Sequence, residues 1–218
     1  MAPDKTMAVG VDVGADRLHL VCLGPAFGIS DTAVLDPADR TGVDKWFARL
    51  PPQSVIAIDG PPAPSAAPFA DDATVSPKFR RARGCEVELG RRRGIWVSFA
   101  TGPEPLMGWM AEAAHVHRLA GSLGHRALET YPYAIYRTLL GRRPAKKTTG
   151  IGTIDRVVAL RSAGFDHDAL AMWSHDALDA AAAALVARHY ADGIADAVTC
   201  ALDGTSIWLP SVARSYAR

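Results

Sequence analysis

The sequence predicts an α/β fold, because short apolar strands alternate with stretches of helical periodicity. Three apolar segments, residues 8–14, 17–23 and 29–35, are separated only by turn residues, which is typical of an antiparallel meander. A fourth segment, residues 54–59, follows a helix-forming stretch, and a helical crossover makes it parallel to the first strand. Residues 126–130 predict a further short strand.

Helical periodicity occupies most of the remaining chain. Helices are predicted over residues 44–50, 106–123, 133–140, 153–164 and 176–191. Ser174 is a suitable N-cap for the last of them, because its hydroxyl can accept a hydrogen bond from a free helical N–H. Residues 207–209 predict a terminal edge strand, which Pro210 stops.

Length and composition indicate one domain spanning residues 1–218, with an insertion rich in proline and arginine around residues 61–100. The three cysteines are odd in number and widely spaced, so they predict no disulfide framework and fit a reducing cytosol. No apolar run reaches the ~18 residues that a membrane span needs, and no secretory signal is expected. We therefore expect a cytoplasmic protein without a membrane partner.

The middle of the chain is basic and lies between two acidic parts. Residues 73–100 carry seven basic and two acidic side chains, and residues 101–150 carry seven basic and three acidic ones. Arg80, Arg81 and Arg83 could form an electrostatic platform for the phosphates of a nucleic acid. The alternative is a solvated helix face followed by a loop.

Residues 141–148 differ at one position from a phosphate-binding loop. Lys146 occupies the position that requires glycine, and the segment follows a predicted helix instead of a strand. These departures argue against an NTPase. Lys146 and Lys147 remain candidate phosphate contacts as point charges.

Three predicted strands end in a carboxylate followed by a chain-breaking residue, and these carboxylates are Asp12, Asp59 and Glu129. The carboxyl ends of neighbouring parallel strands meet at one edge of a sheet, where α/β proteins bind ligands. Asp12 and Asp59 are therefore expected at the same site. The alternative for Asp12 is a hairpin turn shared with Asp16.

The last predicted helix begins with two more carboxylates, Asp176 and Asp179, which are three residues apart and share a face. Interaction with the helix dipole in the first turn would alone explain Asp176. Asp179 begins a row that includes Ala183 and Val186 and should point towards the sheet. An inward carboxylate requires a partner.

Clustered carboxylates repel one another and are held charged together by a cation, for which hard oxygen ligands favour Mg²⁺ or Mn²⁺. Two such ions ~3.5–4 Å apart can activate water and stabilise the leaving oxygen of a phosphodiester. No histidine and cysteine set fits zinc, and no GxSxG motif indicates acyl transfer. An actin-like phosphotransferase would share the first strand but would need a second nucleotide-binding half.

Several motifs, taken in order along nearly the whole chain, resemble a family of predicted RNase H-like nucleases catalogued as domain of unknown function 429. The motifs are GVDVG at 10–14, AIDGPP at 57–62, the arginine-rich run with Cys85–Glu86, ALETYP at 127–132 and HDALDA at 175–180. HDALDA also resembles the last-helix acids of Holliday-junction resolvases of the same superfamily.

The resemblance implies an RNase H-like five-stranded mixed sheet, with three antiparallel strands followed by two parallel ones and helices on both faces. It implies an acidic site made of Asp12, Asp59, Glu129, Asp176 and Asp179. Glu129 departs from the usual superfamily pattern, in which the acids lie on the first strand, the fourth strand and a late helix.

The resulting hypothesis is a metal-dependent nuclease. Asp12, Asp59 and Asp179 would hold the metal, and Asp176 and Glu129 would complete the site or orient water. The alternative is a catalytically silent protein that keeps the fold and binds nucleic acid or a nucleotide.

Overall fold

A computed structural model describes residues 6–24, 27–165 and 168–211. The strands are β1 (Ala8–Val13), β2 (Leu18–Leu23), β3 (Ile29–Leu35), β4 (Val55–Asp59), β5 (Arg126–Thr130), β6 (Asp196–Thr199) and β7 (Ser206–Leu209). They form one sheet of seven strands in the order β3-β2-β1-β4-β5-β7-β6.

Six α-helices are present in the described residues. They are α1 (Arg40–Ala48), α2 (Gly84–Arg93), α3 (Trp109–Ser122), α4 (Pro132–Leu140), α5 (Gly150–Ser162) and α6 (His175–Ala191). Ser174 caps α6 as predicted, since its hydroxyl oxygen accepts a hydrogen bond of 3.2 Å from the backbone N–H of Ala177. Five helices overlap the predicted segments: α1, α4, α5 and α6 begin earlier than predicted, and α3 begins later. Helix α2 lies outside the predicted helices.

The sheet confirms the expected strand directions and corrects the expected strand number. Strands β1, β2 and β3 form the antiparallel meander, and β1, β4 and β5 run parallel. The sheet has seven strands instead of five, because β7 adds to β5 in parallel and β6 pairs antiparallel with β7. The predicted strand over residues 207–209 therefore exists as part of β7, but β6 forms the edge.

Alternation along β1 directs its side chains to two separate apolar layers. Val9 and Val11 pack with α1 and α3 on one face, where Phe47 and Val116 are fully buried. The other face packs on α6, which is buried on nearly all sides after its first turn. This part of α6 is mostly alanine, whose small side chain allows other elements to pack closely around the helix. Such a helix must lie in the interior of the protein.

The approach of α6 to the sheet is closest at Gly10. A Cβ atom at this position would lie 2.0 Å from the carbonyl oxygen of Ala180 and 2.1 Å from the backbone nitrogen of Ala184. Only glycine leaves space for this backbone contact. The contact places the start of α6 beside the carboxyl end of β1, two residues after Gly10.

The basic insertion contains a helix that is largely buried instead of solvated. The free N–H groups at the start of α2 donate to a distant loop: Gly84 N–H to Asp203 Oδ2 at 2.7 Å, and Cys85 N–H to Thr205 Oγ1 at 2.9 Å. This capping fixes α2 against the β6–β7 side of the sheet. Within the described residues, no helix has the length and apolar character to cross a membrane.

Candidate active site

A cavity of about 690 Å³ opens at the carboxyl edge of β1, β4 and β5. Its wall also includes the segment 97–101, the loop 143–147 and the first turns of α6. All five acids predicted from the sequence, Asp12, Asp59, Glu129, Asp176 and Asp179, line this cavity. Their arrangement within it divides them into two groups.

The end of β1 and the end of β4 place Asp12 and Asp59 side by side. Val11 pairs with Ile58 in the parallel ladder, so the next residues, Asp12 and Asp59, are neighbours that point towards α6. Asp12 is only 7% exposed, and no described residue donates a hydrogen bond to its carboxylate. The Asp12 carboxylate therefore faces the cavity without a hydrogen-bond donor from the described residues.

The start of α6 supplies the other two acids of the first group. One carboxylate oxygen each from Asp12, Asp176 and Asp179 can be chosen so that all three atoms lie within 4.8 Å of one another. Asp59 is not part of this set of three, although its charge acts on Asp12. We call Asp12, Asp59, Asp176 and Asp179 the acid cluster.

Burial and mutual repulsion disfavour the charged form of these groups. Burial raises the pKa of Asp12 well above its ordinary value, and the charges of Asp59, Asp179 and Asp176 raise this pKa further. Burial likewise raises the pKa of Asp59, with Asp179 as the strongest like-charge neighbour. The acid cluster is therefore electrostatically unfavourable unless positive charge is brought into it.

Two cationic side chains already contact the acid cluster. The Nε–H of Arg156 donates to Oδ1 of Asp179 at 3.2 Å, and Arg156 is 3% exposed. The ammonium of Lys147 lies 3.5 Å from Oδ2 of Asp179 and 3.6 Å from Oδ1 of Asp176. Partial burial disfavours the charge on Lys147, but the carboxylates of Asp179, Asp12 and Asp176 outweigh this effect and raise the pKa of Lys147.

Lys147 was predicted as a phosphate contact, whereas nothing in the sequence pointed to Arg156. It lies within the helix predicted over residues 153–164, where an arginine is ordinarily a solvated residue. Its partner, Asp179, is 23 positions away, so no local pattern connects the two. The sequence did, however, indicate that Asp179 needs a partner, and Arg156 is that partner in the structure.

Asp179 pairs with the buried Arg156, whereas Asp176 has no such buried partner, so the two acids should differ in their effect on stability. We expect Asp179→Asn to lower the free energy of unfolding of the metal-free protein by about 3 kcal/mol, because it leaves the buried Arg156 without a counter-charge. Asp176→Asn should cost at most about 1 kcal/mol, since Asp176 is partly exposed in the first helical turn. Urea unfolding without metal measures both. Equal effects would contradict the assigned pairing.

Glu129 lies in a second group, on the opposite face of the sheet. It pairs in the ladder with Ile58, one position before Asp59, so strand alternation points it away from the acid cluster. There it forms a two-point ion pair with Arg83, which is 2% exposed. Arg83 also donates to Glu86 at 2.9 Å, and Glu86 accepts from the N–H and hydroxyl of Thr101.

This buried network gives Arg83 a place that differs from the expected exposed platform. Its charge is compensated by Glu86 and Glu129, and its side chain is almost fully buried at the wall of the cavity. Through Thr101, the network also holds the segment 97–101 against the cavity. Arg83, Glu86 and Glu129 therefore support the cavity wall from the interior of the protein.

We expect Arg83→Gln to destabilise the protein by about 3–5 kcal/mol, because two buried carboxylates would lose their cation. Arg81→Gln is the matched control, since Arg81 and its partner Glu104 are both mostly exposed. Pairs of that kind contribute about 0–1 kcal/mol. Urea unfolding of both variants gives the comparison, and equal stability would contradict the buried network.

The remaining predicted nucleic-acid contacts divide between the cavity and other surfaces. Arg80 donates to the carbonyl of Val75, and neither Arg80 nor Arg81 lines the cavity. Lys146 and Lys147 do line it, together with Arg17 and Arg143. Neither Arg17 nor Arg143 was singled out from the sequence, because each lies in a short turn whose position beside the acids depends on the fold.

A comparison with protein families finds a match over residues 97–203 to the family described as "Protein of unknown function (DUF429)". The resemblance stated from the motifs is thereby confirmed over this segment, which contains ALETYP and HDALDA. No curated protein matches the chain. Among solved structures, RuvC of Thermus thermophilus is similar, with 16% sequence identity, a TM-score of 0.47, and coverage of 86% of this chain and 97% of that chain.

Proposed function

We propose that the protein is a metal-dependent nuclease that hydrolyses phosphodiester bonds at the acid cluster. The observation that carries this proposal is the convergence of Asp12, Asp176 and Asp179, whose selected oxygens lie within 4.8 Å of one another. They do so inside a cavity with cationic side chains on its wall. A polyanion requires such cations, and a cluster of acids alone would repel it.

The donor set fits a hard divalent cation. Its ligand atoms are all carboxylate oxygens, which suit Mg²⁺ or Mn²⁺ and do not favour softer metals. Asp12, Asp176 and Asp179 would hold the ion, and Asp59 stands beside Asp12 as a further ligand or as a partner for water. Such an ion supplies Lewis acidity, which stabilises the charge that develops on phosphate oxygens during hydrolysis.

The remaining chemistry is assigned to the chain's own residues. Arg17, Arg143 and Lys146 lie on the cavity wall and would contact phosphates next to the cleaved one. Phe99, also on the wall, is 71% exposed and offers an aromatic face on which a base can stack. In the reaction, the oxygen of water bonds to phosphorus, the bond to the leaving oxygen breaks, and a water proton ends on that oxygen.

Nuclease assays with Mn²⁺ or Mg²⁺ on single- and double-stranded DNA and RNA test the proposal directly. We expect cleavage that stops when the metal is chelated. Binding of the same substrates without cleavage at any metal concentration would support the silent binding protein instead. The absence of both binding and cleavage would contradict both functions.

The cationic side chains on the cavity wall lead to a prediction about nucleic-acid binding. Replacing Arg143 and Lys146 together by glutamine should weaken nucleic-acid binding and reduce the slope of log affinity against log salt by about two. Replacing Arg80 and Arg81 together is the matched control, because neither lines the cavity. Titrations at several salt concentrations measure both slopes. A larger loss of affinity in the control would instead indicate that nucleic acid binds at Arg80 and Arg81.

A further inference from the structure

The charges within the acid cluster limit how many metal ions it can hold. Its four carboxylates carry four negative charges when ionised, and the contacting side chains of Lys147 and Arg156 carry two positive ones. The imidazole of His175, which lies 2.6 Å from Oδ1 of Asp176, adds no charge when it is neutral. One divalent cation neutralises the difference. A second would leave an excess of positive charge beside Asp12 and Asp179, which are buried, and this is unfavourable where the local dielectric is low.

The two cationic side chains occupy different places. Arg156 lies on Oδ1 of Asp179, and its Nη1 donates to the carbonyl of Gly152 at 3.0 Å, so it is tied to α5. Lys147 lies on the other oxygen, Oδ2, and also faces Asp176. It therefore bridges two acids of the cluster, as a metal ion would.

The loop that carries Lys147 is held in place by several contacts. The carboxylate of Asp155 pairs with Arg142 and accepts a hydrogen bond of 2.8 Å from the N–H of Ala145. A Cβ at Gly152 would lie 2.0 Å from the carbonyl oxygen of Lys146, so loop and helix backbones are in direct contact there. These contacts fix the backbone beside Lys147, and the two carboxylates then orient its half-exposed side chain.

We propose that the acid cluster binds one divalent cation per chain and that the ammonium of Lys147 takes the place of a second ion. The inference rests on the proposed nuclease function and specifies its metal stoichiometry. Asp12 provides the ligand with no donor of its own, whereas Asp176 and Asp179 share their charge between the ion and Lys147. A lysine on a loop held in this way would supply positive charge beside the phosphate without requiring a second binding event.

Mn²⁺ binding by calorimetry and by native mass spectrometry tests this inference without relying on activity. The wild-type protein should bind one Mn²⁺ per chain. Lys147→Gln should bind the first ion about tenfold more tightly, because it removes a repelling positive charge, and should take up a second ion at higher metal concentration. Lys146→Gln is the matched control, since it removes the same charge from the adjacent residue outside the cluster.

The outcomes separate this inference from the function on which it rests. Two ions per wild-type chain, or equal affinities of Lys147→Gln and Lys146→Gln, would overturn the role of Lys147 and leave a metal-dependent nuclease intact. No bound ion in any of the three proteins would overturn the proposed function itself. Lys147 is about half exposed, so its replacement should not unfold the protein, and the melting temperature without metal checks this.

Discussion

Asp12→Asn should abolish metal binding while leaving the metal-free protein at least as stable as the wild type. Asp12 is buried and no described residue donates a hydrogen bond to its carboxylate, so the substitution breaks no ion pair. It removes repulsion with Asp59 and Asp179. Wild type should melt about 5–10 °C higher when metal is present at ~100 times its dissociation constant, and the variant should show no rise.

The same substitution should reduce cleavage by about 10²–10³-fold or more, as expected when one electrostatic contribution to a transition state is lost. A variant that is stable, binds nucleic acid and lacks both metal binding and cleavage would place Asp12 in the reaction. Normal Mn²⁺ binding by Asp12→Asn would contradict the assigned site, whatever the activity.

The pH dependence of stability provides an independent check on Asp12. Because its pKa in the folded protein is raised, the folded state binds a proton more tightly than the unfolded state. The associated stability is fully present below the ordinary carboxyl pKa and is lost as pH rises through the raised value. Between neutral pH and pH 4, metal-free wild type should therefore gain more stability on acidification than Asp12→Asn does.

The sequence was sufficient to place Asp12 and Asp59 together. Each ends a parallel strand, and the carboxyl ends of adjacent parallel strands lie at one edge of the sheet. The same argument applied to Glu129 omitted the direction of its side chain. Glu129 is the penultimate residue of β5, and the register pairs it with Ile58 instead of Asp59. Register depends on contacts between distant segments, so local patterns do not determine it.

The cationic side chains were harder to assign because their partners lie far away along the chain. Arg83 belongs to a run of arginines that suggests a solvated surface, yet its partner Glu129 is 46 positions away and the pair is buried. Lys147 was identified from its neighbours in the sequence, but its place between Asp176 and Asp179 depends on how the loop packs on α5. The sequence thus indicated the chemistry of the site more readily than its pairings.

Gly10→Ala should destabilise the protein by about 3 kcal/mol or more, the upper end of the range for overpacking a core. Its methyl group would meet two backbone atoms of α6, at 2.0 Å and 2.1 Å, and backbone in the middle of a buried helix cannot rotate away as a side chain can. The helix must therefore shift as a unit. Because α6 also carries Asp176 and Asp179, the shift would separate them from Asp12.

Gly121→Ala is the matched control for Gly10→Ala. Gly121 lies within α3, and a Cβ there would meet no atom within 4 Å, so alanine should stabilise the helix by about 0.5–1 kcal/mol. Urea unfolding and the Mn²⁺-induced change in melting temperature should be measured for both variants. We expect Gly10→Ala to lose the metal response even at temperatures where it remains folded, and Gly121→Ala to retain it. An unchanged stability of Gly10→Ala would mean that α6 does not contact β1 at this residue, and the geometry of the acid cluster would have to be revised with it.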